Sequence, residues 1–186
     1  MDAIAGLTLI SNYLSADEQT QLLAIVDQGV WLTDLKRRVQ HFGYVYNYKK
    51  RQLDPSMYLG ALPDWAQSLA ERLHADGFAP ALPDQVIVNE YQPGQGIAPH
   101  VDCVPCFADT ILSISLGSPC VMDYTPLKRE AEVRHVLLQP GSLLIMRGEA
   151  RYEWKHGIAA RKRDLFEGQV IERQRRVSLT LRKVID

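Results

Sequence analysis

The chain has 186 residues, 46% hydrophobic and 23% charged, with a net charge of −1; that composition excludes a disordered tail, a collagen-like fibre and a low-complexity segment. No apolar run approaches the roughly 18 residues of a membrane span, so one soluble domain over 1–186 with no membrane partner is expected. Three cysteines, Cys103, Cys106 and Cys120, cannot all pair within one chain, and the N-terminus lacks a basic region before an apolar stretch, so a cytoplasmic monomer without a leader is expected.

Ser15-Ala-Asp-Glu18 reads as a capping box that opens a first helix, with Leu22, Leu23 and Val26 as its apolar stripe. Residues 36–51, KRRVQHFGYVYNYKKR, then carry Lys36, Arg37, Arg38, Lys49, Lys50 and Arg51 and no acid. Without those six, 15 basic residues face 22 acids, so the remainder of the chain carries −7. Phe42, Tyr44, Tyr46 and Tyr48 are interleaved with the cations. Such a segment is either a solvated strand with an aromatic inner face or a nucleic-acid surface of phosphate-binding cations and stacking rings. A second helix starts at Pro63, a favoured first-turn residue, and ends before Gly77; Trp65, Leu69 and Leu73 share one of its faces.

Beyond residue 84 the texture becomes short β-rich runs: 85–91, 109–117, 120–124, 133–138, 142–148 and 175–184, separated by turn signals such as Gly117-Ser118-Pro119 and Pro140-Gly141. Many short strands without βαβ spacing predict a sandwich or jelly roll. Helices preceding strands predict an α+β fold with the helices packed on one sheet. The chain divides on this reading into 1–84, helices and recognition segment, and 85–186, the β core.

In IAPHVDC, His100 and Asp102 are two apart, so on an extended strand both point to one side and meet one ion. A third ligand must come from elsewhere, and His156 in RYEWKHGI follows a strand-like run. Two histidines and one carboxylate make the facial triad of non-haem Fe(II) oxygenases. His41, His74 and His135 have no carboxylate at such a spacing and default to surface or core roles. In the last strand Val177, Leu179 and Leu181 face one way, and Arg176, Ser178, Thr180 and Arg182 the other. Guanidiniums on that face suit a dicarboxylate, unless the face is merely wet.

N-x-Y, H-x-D, S-x-S-L-G, the later His and R-x-S-x-T-x-R, in this order, resemble the AlkB family of Fe(II)/2-oxoglutarate dioxygenases over about residues 38–184. RRVQHFGYVY, YQPGQGI, SISLG, VMDY, RYEWKHGI and LRKV are most similar to the oxygenase domain of tRNA wobble-uridine hydroxylases. The resemblance implies a double-stranded β-helix core, with Fe(II) on His100, Asp102 and His156 at the catalytic centre and O₂ as co-reactant. It implies 2-oxoglutarate held by Asn89, Tyr91, Arg176, Ser178 and Arg182, with Arg176 on the distal carboxylate. It implies oxidation of a modified base in nucleic acid, by demethylation or hydroxylation, with RNA or tRNA favoured over DNA.

Several positions depart from the family pattern. At 186 residues there is room for neither the RNA-recognition module nor the methyltransferase that wobble-uridine hydroxylases carry. Val104 stands where repair-type members have an acid that reads the base. The family's stacking Trp has no counterpart, so Arg37, Arg38, Tyr44 and Tyr46 are the candidate substrate contacts. Cys103-Val-Pro-Cys106 lacks both a second C-x-x-C and a βαβ context, and reads as a loop near the site entrance. A non-nucleic-acid substrate, a catalytically silent nucleic-acid-binding barrel and a zinc hydrolase remain as rival readings.

Overall fold

The computed structural model describes residues 3–33, 35–45, 55–128 and 132–185. In chain order the elements are β1 (Leu7–Ile10), α1 (Ala16–Gln28), β2 (Arg38–Phe42), α2 (Asp64–Ala75), β3 (Gln85–Tyr91), β4 (Ile97–His100), β5 (Phe107–Gly117), β6 (Cys120–Pro126), β7 (Arg134–Leu138), β8 (Leu143–Met146), α3 (Gly148–Tyr152), β9 (Trp154–Ile158), β10 (Arg163–Phe166), β11 (Gln169–Glu172) and β12 (Arg176–Val184). The long strands form an antiparallel six-stranded sheet in the order β1-β8-β5-β12-β3-β2. A four-stranded sheet, β4-β9-β6-β7, faces it, and β10 and β11 form a separate hairpin.

Both faces of the large sheet are buried, and strand alternation separates them. Val177, Leu179 and Leu181 of β12 join Leu112, Ile114, Val86 and Val88 against Val26 of α1 and Leu69 and Leu73 of α2. Each such side chain contributes about 1.5–3 kcal/mol on burial. The second core lies between the sheets, where Ile87, Tyr91 and Ile111 meet Met122, Tyr124, Leu138 and Trp154. The helices therefore pack on one sheet, as expected.

The capping box at α1 forms as read: Glu18 N–H donates to Ser15 Oγ at 3.3 Å, and Ser15 N–H to Glu18 Oε2 at 2.7 Å. Pro63 sits one residue before the first turn of α2, where its extended backbone serves as the N-cap. Trp65 lies at the rim of that packing face and meets Phe42 edge-on at 5.4 Å.

The division at residue 84 does not describe the β core. β1 and β2 come from the first part of the chain and form the two edges of the large sheet. Their in-register partners are Leu7 with Met146 and Val39 with Asn89. Edge strands need bury only one face, so their hydrophobic pattern is weak in the sequence.

Candidate metal centre and cavity

β4 and β9 are neighbours, with His100 opposite His156 in register, so two imidazoles emerge side by side with ring centroids 4.4 Å apart. Gly157 allows this pairing: a Cβ there would lie 2.9 Å from Pro99 Cα. Asp102 follows two residues after His100, and its Oδ1 lies 3.4 Å from His100 Nε2 and 4.0 Å from His156 Nε2. One ligand atom from each of the three residues falls within 4.8 Å of the others. His100 Nδ1 lies 2.9 Å from the Ala98 carbonyl, which selects the tautomer protonated at Nδ1 and leaves Nε2 for a ligand.

Charge at this cluster is set by burial and by arginine. Burial alone would raise the Asp102 carboxyl, yet the Arg182 charge and the His100 hydrogen bond hold it far below the usual carboxylate range. Arg182 Nη1 is 3.5 Å from Asp102 Oδ2. His156 is lowered to about 4, first by burial and then by the charge of His100. The cluster therefore offers one carboxylate and neutral imidazole, the donor set that a divalent cation takes.

The cluster opens into a cavity of about 340 Å³ between the sheets. Asn89, Tyr91, Arg176, Ser178 and Arg182 all line it. Arg176 and Arg182 are 3% and 4% exposed, so the polar face of β12 is not an outward wet face but one wall of this cavity. Arg176 Nη2 donates to Ser115 Oγ at 2.9 Å and its guanidinium lies over the Tyr91 ring at 5.5 Å. Its Nε is buried with no partner among the described residues, which a carboxylate would satisfy. Arg182 Nε donates to Gln85 Oε1 at 2.9 Å and stacks on Phe107 at 3.9 Å.

The candidate substrate contacts separate. Arg37 lines the cavity and donates from Nε to Asn89 Oδ1 at 2.9 Å. Arg38, its neighbour and the first residue of β2, does not line the cavity. It pairs with Glu90 at 2.7 Å and lies over Trp31 at 4.9 Å, and so holds β2 to β3 rather than facing a substrate. Tyr44 packs on the inter-sheet core and against Tyr58 at 5.1 Å, and is not part of the cavity lining. Tyr46 lies outside the described residues.

The C-x-x-C turn holds more than a loop. Cys103 and Cys106 form a disulfide, because the turn after Asp102 brings their Cα atoms to 5.2 Å, within bonding reach. Cys103 is also part of the cavity wall. His135 takes a surface role, its Nδ1 lying 2.7 Å from Asp123 Oδ1 across the β6–β7 pair.

Sequence reasoning missed Ser115, Gln85 and Arg151. The first was signalled by Ser113 and Ser115 alternating within an otherwise apolar strand. Nothing in the local pattern distinguishes a buried Arg151 from a surface one.

A family model described as the 2OG-Fe(II) oxygenase superfamily matches residues 30–182. The chain is 38% identical over 97% of its length to a protein of Arabidopsis thaliana named alkylated DNA repair protein ALKBH8 homolog, covering 59% of that protein. It is also 38% identical, over 96% of its length, to the mouse tRNA (carboxymethyluridine(34)-5-O)-methyltransferase ALKBH8, covering 30% of that protein. The chain thus spans about three fifths and about a third of these relatives. Among solved structures, that of OsALKBH1 superposes with a TM-score of 0.75 at 18% identity, covering 96% of both chains, which shows a shared fold.

Proposed function

This chain belongs to the 2OG-Fe(II) oxygenase superfamily, within it to the AlkB family, and from that premise we propose that it oxidises a modified base in nucleic acid, with RNA, and tRNA in particular, favoured over DNA. It is an Fe(II)/2-oxoglutarate-dependent dioxygenase, the class whose cofactors are Fe(II), 2-oxoglutarate and O₂. When bound, these supply the chemistry: 2-oxoglutarate is decarboxylated to succinate as one oxygen atom passes to a substrate C–H bond.

The protein's own part is holding, orienting and excluding water. In this reading His100, Asp102 and His156 hold the metal. Arg176, with Ser115 behind it and Tyr91 beneath it, takes the distal carboxylate of 2-oxoglutarate, and Arg182 lies at the metal end. Asn89, fixed through its oxygen by Arg37, turns its amide N–H groups toward the ligand, and Ser178 lies between the two arginines. The apolar walls, Ile87, Ile111, Met122 and Leu144, keep the cavity dry.

The observation that carries the proposal is the convergence of the His-Asp-His cluster and the two buried arginines on one cavity that Arg37 of the basic segment also lines. The tRNA reading is supported by the name of the mouse relative and by Val104 at the base-reading position. The test is incubation of the Fe(II)-loaded protein with 2-oxoglutarate and bulk modified tRNA or methylated oligonucleotides, followed by nucleoside mass spectrometry. A nucleoside that gains one oxygen indicates stable hydroxylation, and loss of a methyl group with formaldehyde release indicates demethylation. Succinate formation that no nucleic acid stimulates would remove the nucleic-acid reading and favour another substrate class.

A further inference from the structure

We propose that Arg151 is the positioning residue for the metal centre, a clamp that fixes the loop carrying Asp102 to the segment carrying His156. This rests on His100, Asp102 and His156 being the metal site. Arg151 is 2% exposed, and no acidic side chain among the described residues pairs with it directly. It is spent on backbone instead: Nη1 donates to the Asp102 carbonyl at 3.0 Å, and Nη2 to the Cys103 carbonyl at 3.1 Å and the Phe107 carbonyl at 3.4 Å. The carbonyls of Asp102 and Cys103 in the turn after β4, and of Phe107 at the start of β5, thus converge on one planar group.

The same residue belongs to α3, five positions before His156, and α3 runs directly into β9. A single side chain therefore ties the two segments that supply two of the three ligands. β4–β9 pairing sets His100 against His156, whereas Asp102 lies just beyond the end of β4, where Arg182 at 3.5 Å meets its carboxylate and Arg151 holds its backbone. A facial cluster tolerates little displacement of its carboxylate, so the clamp bears on affinity rather than only on folding. Burying a guanidinium is costly; here Nη1 and Nη2 are both used on the segment that carries Asp102, while Nε is buried without a partner among the described residues, which argues that this position serves that segment and not general packing.

Only the planar fork spans three carbonyls. Lysine keeps the charge and the stem but presents a point donor that cannot reach all three. The experiment measures Co(II) affinity anaerobically by calorimetry, together with the Co(II) ligand-field spectrum, so that no turnover is required. The expected result is about a tenfold loss of affinity in Arg151→Lys and up to about a hundredfold in Arg151→Met, the range for residues that orient metal ligands. Both variants should also show an altered spectrum. Arg173→Met is the control: Arg173 clamps buried Asp164 at 2.6 Å away from the cavity, so it should lose stability and keep its Co(II) affinity.

Should Arg151→Met not fold, Arg151→Lys decides alone. Affinity and spectrum unchanged from the parent in Arg151→Lys overturn the proposal. Equal loss of affinity in Arg173→Met overturns it too, because the effect would then follow stability and not position. A parent protein that binds no Co(II) removes the metal assignment and this clamp together, whereas failure to oxidise any nucleic acid leaves the clamp standing.

Discussion

Asp102 is the one carboxylate among the described residues of the cavity wall, and Arg37, Arg176 and Arg182 line the same space, with Arg151 behind. Cations gathered around one anion in a buried site repel one another and are costly to desolvate. A dicarboxylate and a divalent cation together relieve this: the first supplies two negative charges to the arginines, the second occupies the Asp102 side. The charge pattern thus favours 2-oxoglutarate over a neutral or cationic ligand independently of family likeness. Arg176→Met is therefore expected to raise the 2-oxoglutarate concentration needed for half-saturation by about 10–100-fold, the worth of a charge-assisted hydrogen-bonded contact. Co(II) affinity should stay within about twofold, because the guanidinium stands at the other end of β12 from Asp102, six residues or about 20 Å of strand from Arg182. Calorimetric titration of the variant with Co(II), and then of the Co(II)-loaded variant with 2-oxoglutarate, reads the two quantities in turn, and an unchanged requirement would show that Arg176 does not hold the cosubstrate.

β12 shows how far an element can be read from its sequence. Its alternation of Val177, Leu179 and Leu181 with Arg176, Ser178 and Arg182 was legible, and so were the spans of β3, β5 and β6, because long central strands impose period-two patterns that tertiary contacts reinforce. What the pattern could not say was that both faces are buried, since buried arginines resemble a wet surface until the opposing sheet is known. β4 and β9, four and five residues long, left too short a period to place, and yet they carry His100 and His156. The ligands were legible from chemistry, their strands were not. Arg38 differs from Arg37 for a related reason: it opens β2 and pairs with Glu90, whereas Arg37, in the bend just before the strand, lines the cavity, and the sequence does not tell which of two adjacent arginines looks inward. Its true partner makes a separate prediction. Glu90, 2% exposed, would be raised by burial, but hydrogen bonds from Arg38, Arg175 and Gln92 lower it to about 2. A carboxyl depressed in the folded state stabilises the fold above its unfolded pKa of about 4.5 and loses that contribution as pH falls toward 2. Glu90→Gln is expected to cost on the order of 2 kcal/mol at neutral pH, with the difference from the parent vanishing between about pH 4.5 and pH 2. Urea unfolding across that range measures it, and a pH-independent difference would mean that packing and not charge is lost.

At the scale of the whole molecule, charge is segregated rather than balanced. The net of −1 conceals a segment with six cations against a remainder of −7, and a polyanion approaching such a surface is attracted at one place and repelled elsewhere. Arg37, within that segment, lines the cavity, so a cation of the segment stands at the site itself. Arg38 must be set aside, since it serves the β2–β3 pairing, which leaves Lys36, Lys49, Lys50 and Arg51 as the cations whose removal tests the nucleic-acid reading without breaking the sheet. Lys49, Lys50 and Arg51 lie outside the described residues, so the argument for them is one of sequence charge alone. Each cation seated on a single-strand phosphate contributes about 0.7 to the slope of log affinity against log salt, so four of them contribute about 3. Replacing all four by Gln is expected to weaken RNA binding at low salt and to flatten that slope by up to about 3. Fluorescence anisotropy with a labelled tRNA anticodon stem-loop over a salt series reads both effects. A variant that keeps the affinity and the slope of the parent would show that these cations are a solvated face, and the cavity would then have to be matched to a substrate without phosphates.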